Sequence, residues 1–393
     1  MAITNKEKGV WSLDQVYNKI NQGSIWEYNG PGDPDKVFGW GLNNYGQLGL
    51  NQPHNTAYSS PVQIPGSYKR VFPTNQNSDY HIVAGISTTG LVGWGRNNYG
   101  QLLQNDTVDR SSPVQLPGTT WYNVAGGEGA LLATKTDNSL WAWGVNTYGN
   151  LGQNNRTQYS SPVQIPGTTW KQPRGTNTSN GAIKTDGTLW VWGRNWRGGL
   201  GQNNLIEYSS PVQIPGTNWK YLANQGSTML AIKTDGTLWG WGRQWTGALG
   251  QNQSNGTNDN FSYSSPVQIP GTNWANIGCG GAFQIAVKTD GTLWSWGYQN
   301  RGQLGLNNNT NYSSPVQVGS DTTWPKTGEI HAGTTTGLIK TDGTLWMWGN
   351  SGQGQIGKND TVQYSSPVQV PGTWAELDIN SWYGSTIARP VNP

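Results

Sequence analysis

The stretch Thr185-Asp186-Gly187-Thr188-Leu189-Trp190-Val191-Trp192-Gly193, followed by Tyr208-Ser209-Ser210-Pro211-Val212-Gln213-Ile214-Pro215-Gly216, is copied along almost the whole chain. Its second Trp recurs before Gly at Trp40, Trp94, Trp143, Trp192, Trp241, Trp296 and Trp348, at spacings of 49 to 55 residues. Its Pro recurs at Pro61, Pro113, Pro162, Pro211, Pro266, Pro315 and Pro367. Two independent markers therefore count seven copies. A period of this length marks a repeat architecture in which each unit is one supersecondary element.

Seven units of about 50 residues account for nearly all of the 393, so one closed array fits better than two or three ordinary domains. Charged residues make up only 11% and hydrophobic ones 33%, a composition that by itself points to disorder. The 23 Trp and 17 Tyr argue otherwise, because these rings recur in register and bring the buried area that aliphatics usually supply. A net charge of +3, scattered along the chain, does not make the clustered basic face that nucleic acid requires. The single cysteine, Cys279, cannot form an internal disulfide and reads as a small core residue. The expectations that follow are no nucleic-acid partner, no signal peptide and no membrane span.

Residues 1–35 stand outside the repeat as an N-terminal extension, and 36–393 form the repeat domain. Ser12-Leu13-Asp14-Gln15 fits a capping box, and Leu13, Val16, Tyr17 and Ile20 follow at helical spacing until Gly23. With Trp11 and Trp26 at its ends, this short helix must pack on something, either the propeller's own rim or a docking partner. From Val37 on, each unit offers four short strands, termed A to D. Trp274–Gly278 predicts strand A, Gln284–Lys288 strand B, Leu293–Trp296 strand C after the tight Asp290-Gly291 turn, and Val316–Val318 strand D. The expected fold is all-β: a seven-bladed β-propeller of four-stranded antiparallel blades. The chain enters at a strand C and leaves at a strand B, so N- and C-terminal strands should share one blade and close the ring. Ser-Ser-Pro ahead of each strand D suits an outer edge, and the Gly after each strand C Trp is expected to make room for the neighbouring blade's ring.

The string Trp-Gly-x-Asn-x-x-Gly-Gln-Leu-Gly, as at Trp40 to Gly49, resembles the hallmark of the regulator of chromosome condensation repeat, whose members form seven-bladed propellers. The resemblance spans residues 37 to 389. It implies a scaffold used for guanine-nucleotide exchange, protein inhibition and other binding tasks. No blade carries an insertion clearly like the β-wedge of the exchange factors, and the strand B His typical of the family is absent, which speaks against exchange. Gly9 to Tyr17, with Gly23 and Trp26, is similar to a segment of tailed-phage structural and tail-fibre proteins.

Antiparallel order puts the A–B and C–D loops on one face and the B–C and D–A turns on the other. The second face is monotonous, with Lys-Thr-Asp-Gly at 184, 233, 288 and 340, whereas the C–D loops vary. Rigid scaffolds carry binding residues on such loops, although drift in solvated loops gives the same pattern. The candidate binding residues are Arg96, Tyr99, Arg194, Trp196, Arg197, Arg243, Trp245, Tyr298 and Arg301, densest in the fourth and fifth copies, where Arg and Trp are the types enriched at interface hot spots. The fifth copy also has a longer loop at 253–259. Trp196 and Trp245 read equally well as cover for the blade rim. The candidate docking residues are Trp11, Leu13, Val16, Tyr17, Ile20 and Trp26. Catalysis, metals and cofactors are not expected. His54, His81 and His331 lie in different copies without Cys or carboxylate neighbours at metal spacing, and the Asp of each Thr-Asp-Gly is a turn former. The sequence thus reads as a non-enzymatic structural or adhesion component of a tailed-phage virion. The extension would bind other virion proteins and the A–B/C–D face a partner protein or a host surface glycan. The alternatives are a cytoplasmic protein-interaction propeller of the small-GTPase-regulator type and a soluble lectin.

Overall fold

A computed structural model of the protein describes residues 35–52, 55–73, 82–127, 129–175, 179–253, 261–380 and 384–391. The described strands form an all-β propeller of antiparallel sheets. Five sheets have four strands each. In the sheet built from Trp170–Gly175, Ser179–Lys184, Leu189–Gly193 and Tyr208–Ile214, the order in space equals the order in sequence.

The expectation of seven separate blades is corrected: there are six sheets. The sixth has six strands, in the order Thr56–Ile64, Val37–Asn43, Ser385–Pro390, Tyr364–Asn380, Thr344–Gly349, Thr335–Ile339. Two local causes merge what the repeat count keeps apart. The connection Val370-Pro371-Gly372-Thr373-Trp374 is one residue shorter than Ile214-Pro215-Gly216-Thr217-Asn218-Trp219, and the 17-residue strand Tyr364–Asn380 runs through it unbroken. The first part of that strand pairs with Thr344–Gly349 and its second part with Ser385–Pro390. The copy containing Trp324 also lacks a strand A, because Pro325 has no N–H to give a ladder and only an isolated bridge, His331 to Gly337, remains. Val37–Asn43 pairs with Ser385–Pro390, joining the two ends of the described chain in one sheet.

No α-helix occurs among the described residues, and the expected helix after Ser12 lies outside them, as do Trp11, Leu13, Val16, Tyr17, Ile20 and Trp26. Short 3-10 turns occur at Trp196–Gly198 and Trp245–Gly247. Strand D is longer than expected: Ser-Ser-Pro lies inside Tyr208–Ile214, which is tolerable because that strand is an edge.

The core lies between repeats and is made by Trp. Trp40, Trp94, Trp143, Trp192, Trp241, Trp296 and Trp348 are completely buried. Each indole Nε1 donates to a carbonyl of the preceding copy, for example Trp241 to Gly199 O at 3.0 Å and Trp296 to Ala248 O at 3.0 Å. The glycine that makes room for this ring is the last of Gly-x-Leu-Gly rather than the one after Trp. A Cβ on Gly201 would lie 2.9 Å from Trp241 Nε1, whereas one on Gly242 would lie 1.9 Å from Ser227 O of the A–B turn. At the outer edge, the N–H of a left-handed Asn staples each C–D loop to the next strand D, as in Asn203 N to Ser264 O at 2.6 Å. Pairing and stapling set each copy against the next, which fixes the faces.

Candidate binding face and channel cluster

The A–B and C–D connections meet on one face, where Arg243 N donates to Ser227 O and Val145 N to Gly129 O. The opposite face is a ring of near-identical devices. Lys184 Nζ sits 4.5 Å from the Trp170 ring and 4.2 Å from the Trp190 ring, and Lys135, Lys233, Lys288 and Lys340 repeat the arrangement. Asp186 Oδ1 accepts from both the backbone N and the Oγ1 of Thr188, whose Oγ1 accepts from Trp190 Nε1 at 2.9 Å. Those bonds hold the Asp186 carboxyl below its ordinary range. Lys340 is also paired with Asp321. Since each part of this motif is used internally, the monotony of this face follows from folding requirements.

On the variable face, the residues singled out from sequence are brought into contact across neighbouring copies. Arg96 lies 4.7 Å over Tyr45, Arg194 lies 4.5 Å over Tyr148, Trp245 stacks on Tyr298 at 5.1 Å, and Arg301 Nη1 reaches Asn350 Oδ1 at 3.4 Å. Much of the variation in these loops is therefore inter-copy pairing, which sequence spacing alone does not reveal. Around Trp196 the arrangement goes further. Its indole is 45% exposed and has the guanidinium groups of Arg194 at 5.2 Å and Arg197 at 5.0 Å. Arg197 adopts φ 61° and Thr246, its counterpart in the next copy, φ 48°, the left-handed region that side chains other than Gly rarely take. Asn195 Nδ2 donates to Asn204 O at 2.9 Å, tying the Trp196 turn to the turn that exposes Leu205 and Ile206. Arg243 lies 4.9 Å over Trp245, whereas Tyr99 stands out at the far side of the face. Within the longer loop of the fifth copy, residues 254–259 lie outside the described residues.

A second site was not visible in the sequence. A cavity of about 960 Å³ at the ring's centre is lined by strand A residues of successive sheets. Into it project Arg174, Glu329, His331 and Asp378. Arg174 Nη2 donates to Glu329 Oε1 at 2.8 Å and Oε2 at 2.9 Å, and His331 Nδ1 lies 3.1 Å from Asp378 Oδ1. The expectation that His331 has no carboxylate neighbour is corrected: Asp378 is 47 positions away in sequence and adjacent in space. His54 and His81 lie outside the described residues.

Burial lowers the affinity of His331 for a proton, but Asp378 and Glu329 more than offset this, so its pKa is raised. His331 Nε2 has no hydrogen-bond partner among the described residues, a cost that those carboxylates overcome. Burial raises Asp378 to about 6 despite the neighbouring imidazole. Glu329 is half-exposed to the cavity yet walled round by protein, and Arg174 holds it below its ordinary range. Burial pushes the Cys279 thiol up to about 12, which leaves it protonated and inert at neutral pH. No group of three or more His, Cys, Asp or Glu among the described residues is arranged to hold a metal, and no described helix is long and apolar enough to cross a membrane.

The profile of the Regulator of chromosome condensation (RCC1) repeat matches residues 34–76, 137–172 and 290–335. RCC1 domain-containing protein RUG3 of Arabidopsis thaliana is 27% identical over 119 residues, and the ultraviolet-B receptor UVR8 of the same plant is 33% identical over 84. These alignments take in 29% and 20% of this chain, and only 27% and 17% of those proteins. Among solved structures, Prp20p of Saccharomyces cerevisiae superposes with a TM-score of 0.79 at 16% identity, covering 92% of both chains. Human WBSCR16 gives 0.73 at 18% identity, over 90% of this chain and 98% of its own. At such identities the likeness is one of fold: the chain is an RCC1-like β-propeller that carries RCC1-type repeats, a scaffold of the protein-interaction class.

Proposed function

We propose that the protein is a non-enzymatic interaction propeller that engages a partner protein through the C–D loops around Trp196 and Trp245. One observation carries this reading: Arg197 takes a left-handed backbone to set its guanidinium against a half-exposed Trp196 that Arg194 also flanks. Strained residues persist only where the surroundings over-determine them, and they cluster at functional sites. An exposed Trp with flanking Arg has the composition of an interface hot spot. Arg194, Arg197, Arg243 and Arg301 give this sector a positive bias, so the surface that fits it is acidic with an apolar projection to cover Trp196, Leu205 and Ile206.

Prp20p, similar in fold, is described by its binding to Gsp1p and histones, which makes a small GTPase the first partner to test. The matching location is the cytoplasm or nucleus. No comparison reported above is to a phage virion protein, so the virion reading rests on the N-terminal segment alone, whose Trp11 to Trp26 would form a second docking element. The test is binding of a small GTPase and of an acidic peptide array to the wild type and to the Trp196→Ala/Arg197→Ala/Trp245→Ala variant. Binding lost in the variant supports the reading. Binding unaltered by the triple change removes it, and retention on glycans lost in the same variant would replace it with a lectin.

A further inference from the structure

The inner wall of the channel is uniform except at one place. In the five four-stranded sheets, a strand A is hydrogen-bonded to strand B along its length, as Trp219–Gln225 is to Thr228–Lys233. Residues 325–332 occupy the corresponding place in their copy without a ladder. A single bridge, Gly337 N to His331 O at 3.1 Å, connects them to the strand Thr335–Ile339. Side chains hold the segment instead. Asn276 Nδ2 donates to Pro325 O at 3.3 Å and Gly328 O at 3.1 Å, and Ile330 packs so tightly that a Cβ on Gly278 would lie 2.5 Å from it. Glu329 is bound across the channel by Arg174, and His331 by Asp378 of the neighbouring strand.

We propose that residues 325–332 form a proton-dependent latch on the channel wall, fastened by the proton that His331 and Asp378 share and by the Glu329–Arg174 bridge. The charges facing His331 can be counted element by element. Trp170–Gly175 brings Arg174, Tyr68–Pro73 brings Arg70, and Tyr364–Asn380 brings Asp378. The segment itself adds Glu329 and Lys326, while Tyr221 OH lies within the field of Glu329. Glu376 is satisfied by Arg389, and Lys340 by Asp321, at the edges of the same cavity; Asp342 stands beside Lys340 in the turn. With His331 protonated, Asp378 and Glu329 each face a cation. When His331 is deprotonated, Asp378 keeps a negative charge inside the ring opposite only a neutral imidazole.

The sign follows from linkage. His331 and Asp378 both bind their protons more tightly when the segment is docked. Their contribution is therefore fully present below the ordinary His value of about 6.5 and is lost as pH rises through the raised one. Glu329 works oppositely, its contribution failing only as pH falls below the ordinary carboxylate range. The latch is tight in mildly acidic solution and loosens on the alkaline side. Loosening removes Ile330 from Gly278 and opens the wall of the cavity.

The test is hydrogen exchange of the full chain, read on peptides spanning residues 325–339 and corrected for intrinsic exchange, with the Gly337 amide as reporter. One linked proton permits up to about tenfold per pH unit, so protection should drop roughly tenfold between pH 6 and pH 8.5. Core amides of Thr228–Lys233 should stay level. His331→Gln should be poorly protected at both pH values, whereas His331→Lys, with a charge that persists, should stay protected at both. Equal Gly337 protection at the two pH values in the wild type overturns the proposal. So does a His331→Lys chain that keeps its core protection and yet follows the wild-type pH profile.

Discussion

Two buried tryptophans, Trp192 and Trp241, form a matched pair that isolates one hydrogen bond. Both are completely buried, and each meets the strand A Trp of its own inter-repeat core at 65°, Trp170 at 6.1 Å and Trp219 at 6.2 Å. They differ in what their Nε1 satisfies. Trp241 Nε1 donates to Gly199 O, for which no second donor is recorded among the described residues. Trp192 Nε1 donates to Asn150 O at 2.8 Å, which also accepts from Asn180 Nδ2 at 2.6 Å.

Phe in place of either Trp loses ring atoms from a closed core, at a cost on the order of 1 kcal/mol if the cavity collapses only in part. At position 241 the substitution also strands a buried carbonyl, for a further ~1–3 kcal/mol. Trp241→Phe should therefore cost about 2–4 kcal/mol and Trp192→Phe about 1–2. Urea unfolding followed by far-ultraviolet circular dichroism, compared at equal m-values, measures both. If the two variants agree to within about 0.5 kcal/mol, the orphaned carbonyl is not what sets the cost. The reasoning about the indole N–H would then fail in all seven copies.

Other consequences can be checked separately. Gly201→Ala should destabilise by more than about 1 kcal/mol, since it combines φ 62° with a Cβ 2.9 Å from Trp241; a melting temperature unchanged from wild type would refute the assignment of that glycine. Cys279 should resist alkylation at pH 8 in the folded protein and react on unfolding; labelling of the native chain would contradict its buried, raised-pKa environment. The Trp196→Ala/Arg197→Ala/Trp245→Ala variant should fold normally while losing partner binding. Its melting temperature should stay within a few degrees, because Trp196 is half-exposed and only the Trp245–Tyr298 stack is sacrificed.

The repeat itself was legible in the sequence: the Trp-Gly and Ser-Ser-Pro markers locate strands C and D, and Thr-Asp-Gly locates the turn between B and C. These are local signals, each set by the conformational or edge requirements of a few adjacent residues. They also separate the two faces, because alternation within a sheet obliges successive loops to opposite sides.

What the sequence could not decide depended on length and distance. A connection one residue shorter at Val370–Trp374 let one strand serve two neighbours, so the seven copies became six sheets. Pro325 removed a strand A, and no periodic marker reports that loss. The residues that fill the gap acquire their meaning only in the ring, where Arg174, 155 positions from Glu329, and Asp378 close on them. Local chemistry determined which strands form. Closure of the ring decided which charges share the channel, because electrostatic coupling depends on separation in space and is indifferent to separation along the chain.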